Sequence, residues 1–288
     1  MFRVSKLVDE SFNVQMEEGT RFYPMLHYHP DIQLTLILEG RGTRFIGNSI
    51  EPFREGELYL VGSNVPHVFK TAERPGSDPV ARSLSVYFRP DVLGERFLRL
   101  PETRHLSRLL SEASRGIAVG QPAPARLAEQ FLQIRMLSGF ERLQQLLQVL
   151  HAISVSGNYR IISDLSYDRP MKDADNRRIS GVFDYVFHHY AGTITLQQAA
   201  SIANMSVTAF CRYFRLHTRH TFTDFVNRTR IGQAMRLLNE TDHSVSEIGY
   251  QCGYNNIPYF NREFRKIAGT TPLKFRRKFR EEARSGTS

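Results

Sequence analysis

The sequence has few cysteines, no long apolar run and none of the common catalytic motifs. Its two cysteines, Cys211 and Cys252, are too few for a disulfide framework or a thiolate metal cage, and they fit a reducing compartment. No run of 18 apolar residues is present to cross a bilayer, and no basic and then apolar signal follows Met1. We therefore expect a cytoplasmic protein without a membrane partner.

Catalytic signatures are equally scarce. The sequence contains no glycine-rich phosphate loop, no nucleophile elbow and no evident pair of carboxylates for acid and base chemistry. We expect no catalytic residues and no enzyme activity. The segment HYHPDIQ at residues 27–33 is the one exception to examine, because two histidines one residue apart are typical of a metal enzyme.

Charge is distributed unevenly along the 288 residues, a length that favours two domains. The net charge is +9 at pH 7, and residues 177–288 carry all of this excess, with 17 basic and 8 acidic side chains. A compact basic segment is typical of nucleic-acid binding, because basic side chains that contact phosphates release condensed counterions. A basic surface without a nucleic-acid partner is the alternative, since net charge determines partners only loosely.

The secondary-structure signals also change along the chain. Strand-like runs such as QLTLIL and ELYLVG, separated by Gly, Pro and Asn, continue to about residue 88 and indicate a β-barrel or sandwich. From about residue 90 to residue 154 the apolar residues recur at helical spacing. They are Leu127, Phe131, Ile134, Leu143, Leu146, Leu147, Leu150 and Ile153. We expect this stripe to pack against its own domain, with a homodimer seam as the alternative.

Helix boundaries are clearest in the last third of the chain. Thr195 with Gln198 forms a capping box, and Ser206 is a good N-cap for the helix VTAFCRYFRLHT. In that helix Phe210 and Phe214 are four residues apart, so both can face a core. Two short helices joined by a tight turn follow from this pattern.

The same pattern recurs about 50 residues later. Ser244 with Glu247 repeats the capping box, Gly253 provides a left-handed stop, and Asn255 or Asn256 can cap the helix IPYFNREFRKIA. This helix carries its own phenylalanine pair and ends at Gly269. The long amphipathic segment FTDFVNRTRIGQAMRLLNE joins the two units, so we expect one helix to set the distance between them.

These segments resemble the DNA-binding domain of the AraC/XylS family of bacterial transcription regulators over about residues 177–280. The elements GY, YF, REFRK and GTTP, which begin at Gly253, Tyr259, Arg262 and Gly269, belong to the signature of its second half. The resemblance implies that two recognition helices enter successive major grooves about 34 Å apart.

The resemblance also implies a set of DNA-binding residues in the two recognition helices. They are Thr208, Cys211, Arg212, Arg215, Ile257, Pro258, Tyr259, Asn261, Arg262, Arg265 and Lys266. Arg212 and Arg262 can each bond guanine in a bidentate manner, and Asn261 can pair with adenine. Arg215, Arg265 and Lys266 lie nearer the helix ends, where phosphate contacts are expected. A solvated helix face is the alternative for each arginine.

In the N-terminal part, HYHPDIQLTLILEGRG and EGELYLVGSNVPHVF resemble the two halves of the cupin motif, which is a jelly-roll barrel pattern. The resemblance implies a ligand-binding pocket that contains His27, His29, Gln33 and His67. Metal-binding cupins place a carboxylate where this chain has Gln33, and a neutral amide is a poor metal ligand. We therefore expect no cofactor and no metal, and keep the three histidines as weak metal candidates.

We expect an α+β multidomain protein with an N-terminal β jelly-roll barrel, a helical connector and a C-terminal all-α domain with two helix-turn-helix units. The expected ranges are 1–90 for the cupin-like sensing barrel, 91–155 for the connector with possible dimerisation helices, 156–178 for the linker and 179–284 for the DNA-binding domain. The expected function is a ligand-responsive, sequence-specific transcription activator of carbohydrate or related catabolic genes. Its expected partners are double-stranded DNA, a small-molecule effector such as a sugar, RNA polymerase and a second copy of the chain. The alternative is a cupin metalloenzyme fused to a DNA-binding tail.

Overall fold

A computed structural model describes residues 11–72, 80–120, 123–164 and 173–277, and apart from residues 50–52 the chain divides between Asp173 and Ala174 into two compact units. The first unit contains two antiparallel sheets. Its strands are β1 Phe12–Gly19, β2 Ile32–Glu39, β3 Gly42–Ile46, β4 Ser49–Phe53, β5 Leu58–Val61, β6 His67–Thr71, β7 Ala81–Phe88, β8 Ile117–Val119 and β9 Tyr159–Ile161. The larger sheet has the order β1-β7-β2-β5-β8-β9, and the smaller sheet has the order β4-β3-β6.

Strand β2 shows why the two sheets face each other. Its side chains alternate, so Leu34 and Leu36 lie on one face of the large sheet while Gln33, Thr35 and Ile37 lie on the other. The second face packs against the small sheet in a buried cluster that includes Phe53, Tyr59 and Phe69. Both faces of β2 are therefore buried, and the polar residues of this strand lie between the sheets.

Helices cover the outer face of the large sheet. They are α1 Glu95–Leu98, α2 Arg104–Glu112, α3 Ala125–Gln133 and α4 Gly139–Ser156. Phe131, Leu146, Leu150 and Ile153 are fully buried in the same core as Leu34 of β2. The predicted apolar stripe therefore packs against its own domain.

The sequence pattern missed two short strands in this region. β8 lies within the segment predicted to be a helical connector and pairs with β5, and β9 lies at the start of the predicted linker and pairs with β8. Three residues are too few to show the period of a strand. At the other end of the predicted linker, helix α5 begins at Asp173. Residues 165–172 of this linker lie outside the described residues, as do residues 1–10 of the predicted barrel and residues 278–284 of the predicted DNA-binding domain.

The described part of the second unit is helical. Its helices are α5 Asp173–His189, α6 Leu196–Ile202, α7 Val207–Thr218, α8 Phe222–Glu240, α9 Val245–Gln251 and α10 Ile257–Ala268. The expectation of a strand-rich N-terminal part and a helical C-terminal part with two helix-turn-helix units is confirmed.

Local sequence explains where these helices begin. Both predicted capping boxes are present, with Thr195 and Gln198 at the start of α6 and Ser244 and Glu247 at the start of α9. Each box satisfies two backbone N–H groups at a helix start. The side chain of Ser206 caps α7, and Asn256 caps α10, which decides between Asn255 and Asn256.

Helix α8 belongs to two hydrophobic cores at once. Near its start, Phe222 and Phe225 pack against Phe210 and Phe214 of α7. Farther along, Ile231 and the residues after it are buried with the phenylalanine pair of α10. Its 19 residues give a length of about 28 Å at 1.5 Å per residue. One rigid helix therefore supports both helix-turn-helix units.

Candidate functional site

The first recognition helix, α7, presents a polar row to solvent. Phe210 and Phe214 are fully buried, which turns the opposite side of the helix outward. The predicted DNA-binding residues of this helix are all exposed, and they are Thr208, Cys211, Arg212 and Arg215. The exposed row is basic, but only its two arginine side chains extend far from the helix.

The second recognition helix, α10, presents a more basic row. Five of its predicted DNA-binding residues are exposed, and they are Pro258, Asn261, Arg262, Arg265 and Lys266. Pro258 lies in the first turn, where its missing N–H is tolerated. Ile257 and Tyr259 are instead half-buried, and Ile257 lies against Gly249 of the preceding helix. Each of these two side chains therefore lies partly in the core and partly at the surface.

Tyr259 connects the exposed row to helix α8. Its hydroxyl oxygen accepts a hydrogen bond from Nδ2 of Asn227 at 2.9 Å, and its ring lies 5.9 Å from that of Tyr254. The guanidinium carbon of Arg262 lies 4.9 Å from the centre of the Tyr259 ring. A cation over an aromatic face is attractive and restricts the guanidinium group. Sequence reasoning missed Asn227, since no pattern marks a contact across 32 residues.

Acidic groups hold the basic end of α10. Nζ of Lys266 lies 3.5 Å from Oδ1 of Asp224 and 3.7 Å from Oε2 of Glu263, whose side chain is buried. Asp224 also accepts hydrogen bonds from Nδ1 of His220 and Nε of Arg228, and these bonds hold the pKa of its carboxyl well below the usual range. Asp224 is therefore a permanent anion beside the predicted phosphate-binding lysine.

The first unit brings together the four residues predicted for the ligand pocket. The backbones of His27 and His67 bond each other in both directions, at 3.0 and 2.8 Å. The ring centres of His27 and His29 lie 4.3 and 5.1 Å from that of His67. One ligating atom from each histidine lies within 4.8 Å of the others. His67 thus meets His27 and His29, which lie 40 and 38 residues earlier in the sequence, between the two sheets.

Gln33 connects two of the three rings. Its Oε1 lies 3.1 Å from Nε2 of His29 and 2.8 Å from Nε2 of His67. Its amide nitrogen donates to Oγ1 of Thr35 at 2.6 Å, and that hydroxyl is 2.8 Å from the hydroxyl of Ser85. A polar chain therefore runs from the histidines along β2 to β7, and all of its members are buried.

Burial keeps the three rings neutral. Loss of hydration lowers the pKa of His27 to about 3, and it lowers the pKa values of His29 and His67 as well, with His67 further affected by its two neighbours. A neutral imidazole has one N–H donor and one acceptor nitrogen. The cluster can therefore bind a polar group or a cation through nitrogen lone pairs.

The space beside the cluster is small. The cavity measures about 20 Å³, which is about the volume of one water molecule. Its polar lining includes Glu17, Tyr23 and Tyr87 in addition to His27 and His67. Sequence reasoning missed Glu17, Tyr23 and Tyr87, since they come from other strands and loops.

The donor set also fits a metal ion. In each ring Nδ1 is bonded to a backbone carbonyl, and Nε2 of His29 and Nε2 of His67 lie within hydrogen-bond distance of Oε1 of Gln33. Three imidazole nitrogens and an amide oxygen are ligands that divalent transition ions accept. Gln33, which the sequence places in the same pocket, contacts the rings of His29 and His67 through its amide oxygen.

In the described part of the chain, no helix is long and apolar enough to cross a membrane. The fold and the two sites define a class of protein, in which a strand-rich ligand-binding unit is combined with a DNA-binding unit of two helix-turn-helix motifs. Residues 10–155 match the family described as AraC-like ligand binding domain, and residues 199–278 match the family described as helix-turn-helix domain. The chain belongs to the AraC family of transcription regulators, which confirms the resemblance found in the sequence.

Similar proteins include regulators over nearly the full length. The chain is 23% identical over 286 residues to the HTH-type transcriptional regulator YdeC of Bacillus subtilis, covering 96% of this chain and 94% of that protein. It is 22% identical over 263 residues to the HTH-type transcriptional activator RhaR of Mannheimia succiniciproducens, covering 88% and 87%. A crystal structure of the DNA-binding domain of AdpA with a target DNA is 29% identical, with a TM-score of 0.34, and covers 35% of this chain and 91% of that one.

Proposed function

We propose that this AraC-family regulator is a transcription activator without enzymatic activity. The observation that carries the proposal is the pair of capped recognition helices, each with a buried phenylalanine pair and an exposed row that includes arginines. The relative RhaR bears the name of a transcriptional activator, which supports activation as the direction of control. The activator works in the cytoplasm, where it meets DNA and RNA polymerase.

Base recognition belongs to the exposed middle of each recognition helix. Arg212 and Arg262 each bond the O6 and N7 atoms of a guanine, which discriminates against a wrong base by about 1–3 kcal/mol. Asn261 pairs with adenine. The exposed side chains of Thr208, Cys211 and Pro258 contact base edges by shape complementarity. Ile257 and Tyr259 contribute the parts of their side chains that remain outside the core.

Phosphate contacts belong to the ends of the helices. Arg215, Arg265 and Lys266 bind the backbone and position the protein without reading sequence. Lys266 is held by two acidic side chains, so it supplies a fixed positive charge and not a mobile one.

The effector binds between the sheets of the first unit, in residues 1–90. His27, His29, Gln33 and His67 bind the polar groups of a metabolite from the carbohydrate class, including sugar acids. The enclosed space of about 20 Å³ is smaller than a sugar, so binding requires the rim near Tyr23 to move. The effector shifts the regulator between two states by its difference in affinity for them. Residues 91–155 form the connector that transmits this shift, and 156–178 link it to the DNA-binding domain at 179–284.

The DNA assignment is tested by selecting binding sites from a random-sequence library with the full chain. Arg262→Ala is expected to relax preference at one base position, whereas Lys266→Ala weakens all sequences and lowers the salt dependence by about one phosphate contact. Arg99→Ala, which removes an exposed arginine from the first unit, is the charge-matched control. Selection of unchanged sites by both variants would contradict the assignment.

The effector assignment is tested by thermal unfolding of the full chain with a panel of sugars and sugar acids. A ligand present at 100 times its Kd adds about 2.7 kcal/mol to the stability of the state that binds it. A rise in Tm with one compound, lost in Gln33→Leu, is the expected result. No shift with any member of the panel argues against a carbohydrate effector.

A further inference from the structure

Asp224 is fixed in the first turn of α8 by local contacts. Its backbone N–H donates to Oγ1 of Thr221, the N-cap of the helix, at 3.1 Å. An acidic side chain is favourable there, because the N-terminal end of a helix dipole is positive. The side chain of Asp224 is 19% exposed, so its ion pairs are less screened than those of a fully exposed residue.

The carboxylate of Asp224 contacts nitrogen groups from three different places in the second unit. Nε of Arg228, one turn farther along α8, donates to Oδ2 at 2.8 Å, and Nδ1 of His220 donates to the same oxygen at 2.6 Å. Nζ of Lys266 lies 3.5 Å from Oδ1, although it is 42 residues away in the sequence. Because Lys266 lies in the last turn of α10, one carboxylate connects α8 with the end of the second recognition helix.

His220 extends this connection to the end of α7. Its backbone N–H donates to Oγ1 of Thr218 at 3.2 Å, and Thr218 is the last residue of α7. The hydroxyl of Thr218 lies 2.7 Å from the carbonyl oxygen of Phe214, and both Thr218 and His220 are buried. A chain of hydrogen bonds and ion pairs therefore runs from the last turn of one recognition helix, through Asp224, to the last turn of the other.

We propose that Asp224 is a positioning residue for DNA recognition, which holds the ends of α7 and α10 at a fixed distance so that their exposed rows fit successive major grooves. The inference deepens the proposed function and rests on it for the placement of both helices in DNA. Apolar packing against α8 brings each helix into place. The carboxylate adds a directional restraint at the helix ends, because hydrogen bonds weaken steeply with distance and angle.

The same carboxylate also reduces the attraction between this surface and DNA of any sequence. An anion beside Lys266 repels the phosphates that this lysine is proposed to contact. Asp224 therefore has opposite effects on two measurable quantities, since it weakens general binding and favours the one spacing of half-sites that fits the fixed distance. A residue that only stabilised the fold would change both quantities in the same direction.

The test uses the full chain and the two-part DNA site that the wild type selects, together with versions in which one base pair is inserted or removed between the two halves. Asp224→Asn keeps the size of the side chain and removes its charge. It is expected to reduce the affinity lost on changed spacing, and to bind unrelated DNA more tightly, each by about two- to fivefold, the range of a partly exposed ion pair.

Lys266→Gln breaks the same connection from the side of α10. It is expected to relax the dependence on spacing as Asp224→Asn does, but to weaken binding to unrelated DNA, because a phosphate contact is lost. Lys266 is 58% exposed, so this variant does not depend on the burial of Asp224. The two variants therefore share one effect and differ in the sign of the other.

Glu240→Gln is the matched control. Glu240 accepts a hydrogen bond from Nη1 of Arg236 at 2.7 Å, with the same spacing of four residues along α8 as Asp224 and Arg228. Since this pair lies within α8, we expect the control to leave the dependence on spacing unchanged. Circular dichroism verifies that each variant is folded.

Equal dependence on spacing in the wild type, Asp224→Asn and Lys266→Gln overturns the proposal, and so does relaxation of the same size in Glu240→Gln. Weaker binding of Asp224→Asn to every DNA, with unchanged ratios between spacings, assigns Asp224 to fold stability alone and also overturns it. A wild type that selects no two-part site contradicts the proposed function instead, so the two failures are distinguishable.

Discussion

Recognition helices α7 and α10 each have 12 residues, a side-chain N-cap and two fully buried phenylalanines four positions apart. A shift of 50 residues aligns them, so Ser206 corresponds to Asn256 and Arg212 to Arg262. Their surroundings differ. Arg262 lies on the ring of Tyr259, whereas the position that corresponds to Tyr259 in α7 is Ala209.

The two helices also differ at the residue that corresponds to Lys266 and at the residue that follows the helix. Lys266 of α10, between two acidic side chains, corresponds to Leu216 of α7, which is 61% exposed. Helix α10 ends at Gly269 in the left-handed region with φ of 70°, and α7 ends at Arg219 with φ of 60°. The two helices therefore share their hydrophobic anchoring, and they differ in how firmly the polar side chains are held. If both helices read DNA as proposed, we expect the side chains of α10 to be held in fewer orientations than those of α7.

The largest expected effect tests the shared part of the comparison. Phe210→Ala and Phe260→Ala each remove a fully buried ring, so each is expected to lower the free energy of unfolding by about 3–5 kcal/mol. Chemical denaturation of the full chain measures both losses. Leu216→Ala, at an exposed site, is expected to change little and is the control. Losses that differ by more than about 2 kcal/mol would break the similarity between the two cores.

A smaller effect is expected at the two helix ends. A Cβ at Gly269 would meet no atom within 4 Å, so Gly269→Ala costs only the left-handed backbone conformation, about 1 kcal/mol. Arg219→Gly relieves the same cost in α7 and is expected to stabilise the chain by less than about 1 kcal/mol. The denaturation midpoint is therefore expected to fall in Gly269→Ala and to rise in Arg219→Gly. A loss of stability in Arg219→Gly would mean that its side chain contributes more than the backbone costs.

The smallest expected effect concerns the support of Arg262. Tyr259→Leu removes the ring below the guanidinium group and is expected to reduce discrimination at the base proposed for Arg262 by about 0.5–1 kcal/mol. Tyr259→Phe keeps the ring and loses only the bond from Asn227, so it preserves discrimination. Binding constants for the selected site and its single-base variants measure the difference. Equal losses in both variants would assign the effect to the hydroxyl group and not to the ring.

Contacts between residues that are close in the sequence could be predicted from the sequence. The capping boxes, the cap Ser206 and the two phenylalanine pairs all lie within one or two helical turns, so their spacing alone predicts the contact. For the cap of α10 the sequence left Asn255 and Asn256 open, and the structure selects Asn256. The strand at QLTLIL was also predicted, and in β2 every second side chain lies on one face. Strands β8 and β9 were missed, since three residues are too few to show a period and their pairing partners lie 40 or more residues away in the sequence.

In the candidate sites, too, the sequence predicted which residues take part but not which distant residues they contact. The sequence named His27, His29, Gln33 and His67, because a motif with fixed spacing marks them. It could not show that the Gln33 oxygen lies between two rings, or that Glu17 and Tyr87 line the same cavity. In α10 it named Arg262 and Lys266, but it did not reveal Tyr259 under the first or Asp224 beside the second.

By itself, the sequence determined the order of the two units, the boundaries of the recognition helices and the residue types exposed on them. Those properties depend on hydrogen bonds and apolar spacing within a few residues, which any copy of the segment carries with it. The tertiary structure decided the meeting of the three imidazole rings, the small volume beside them and the difference in support between α7 and α10. Those properties depend on which distant segments meet, and that is a result of packing the whole core.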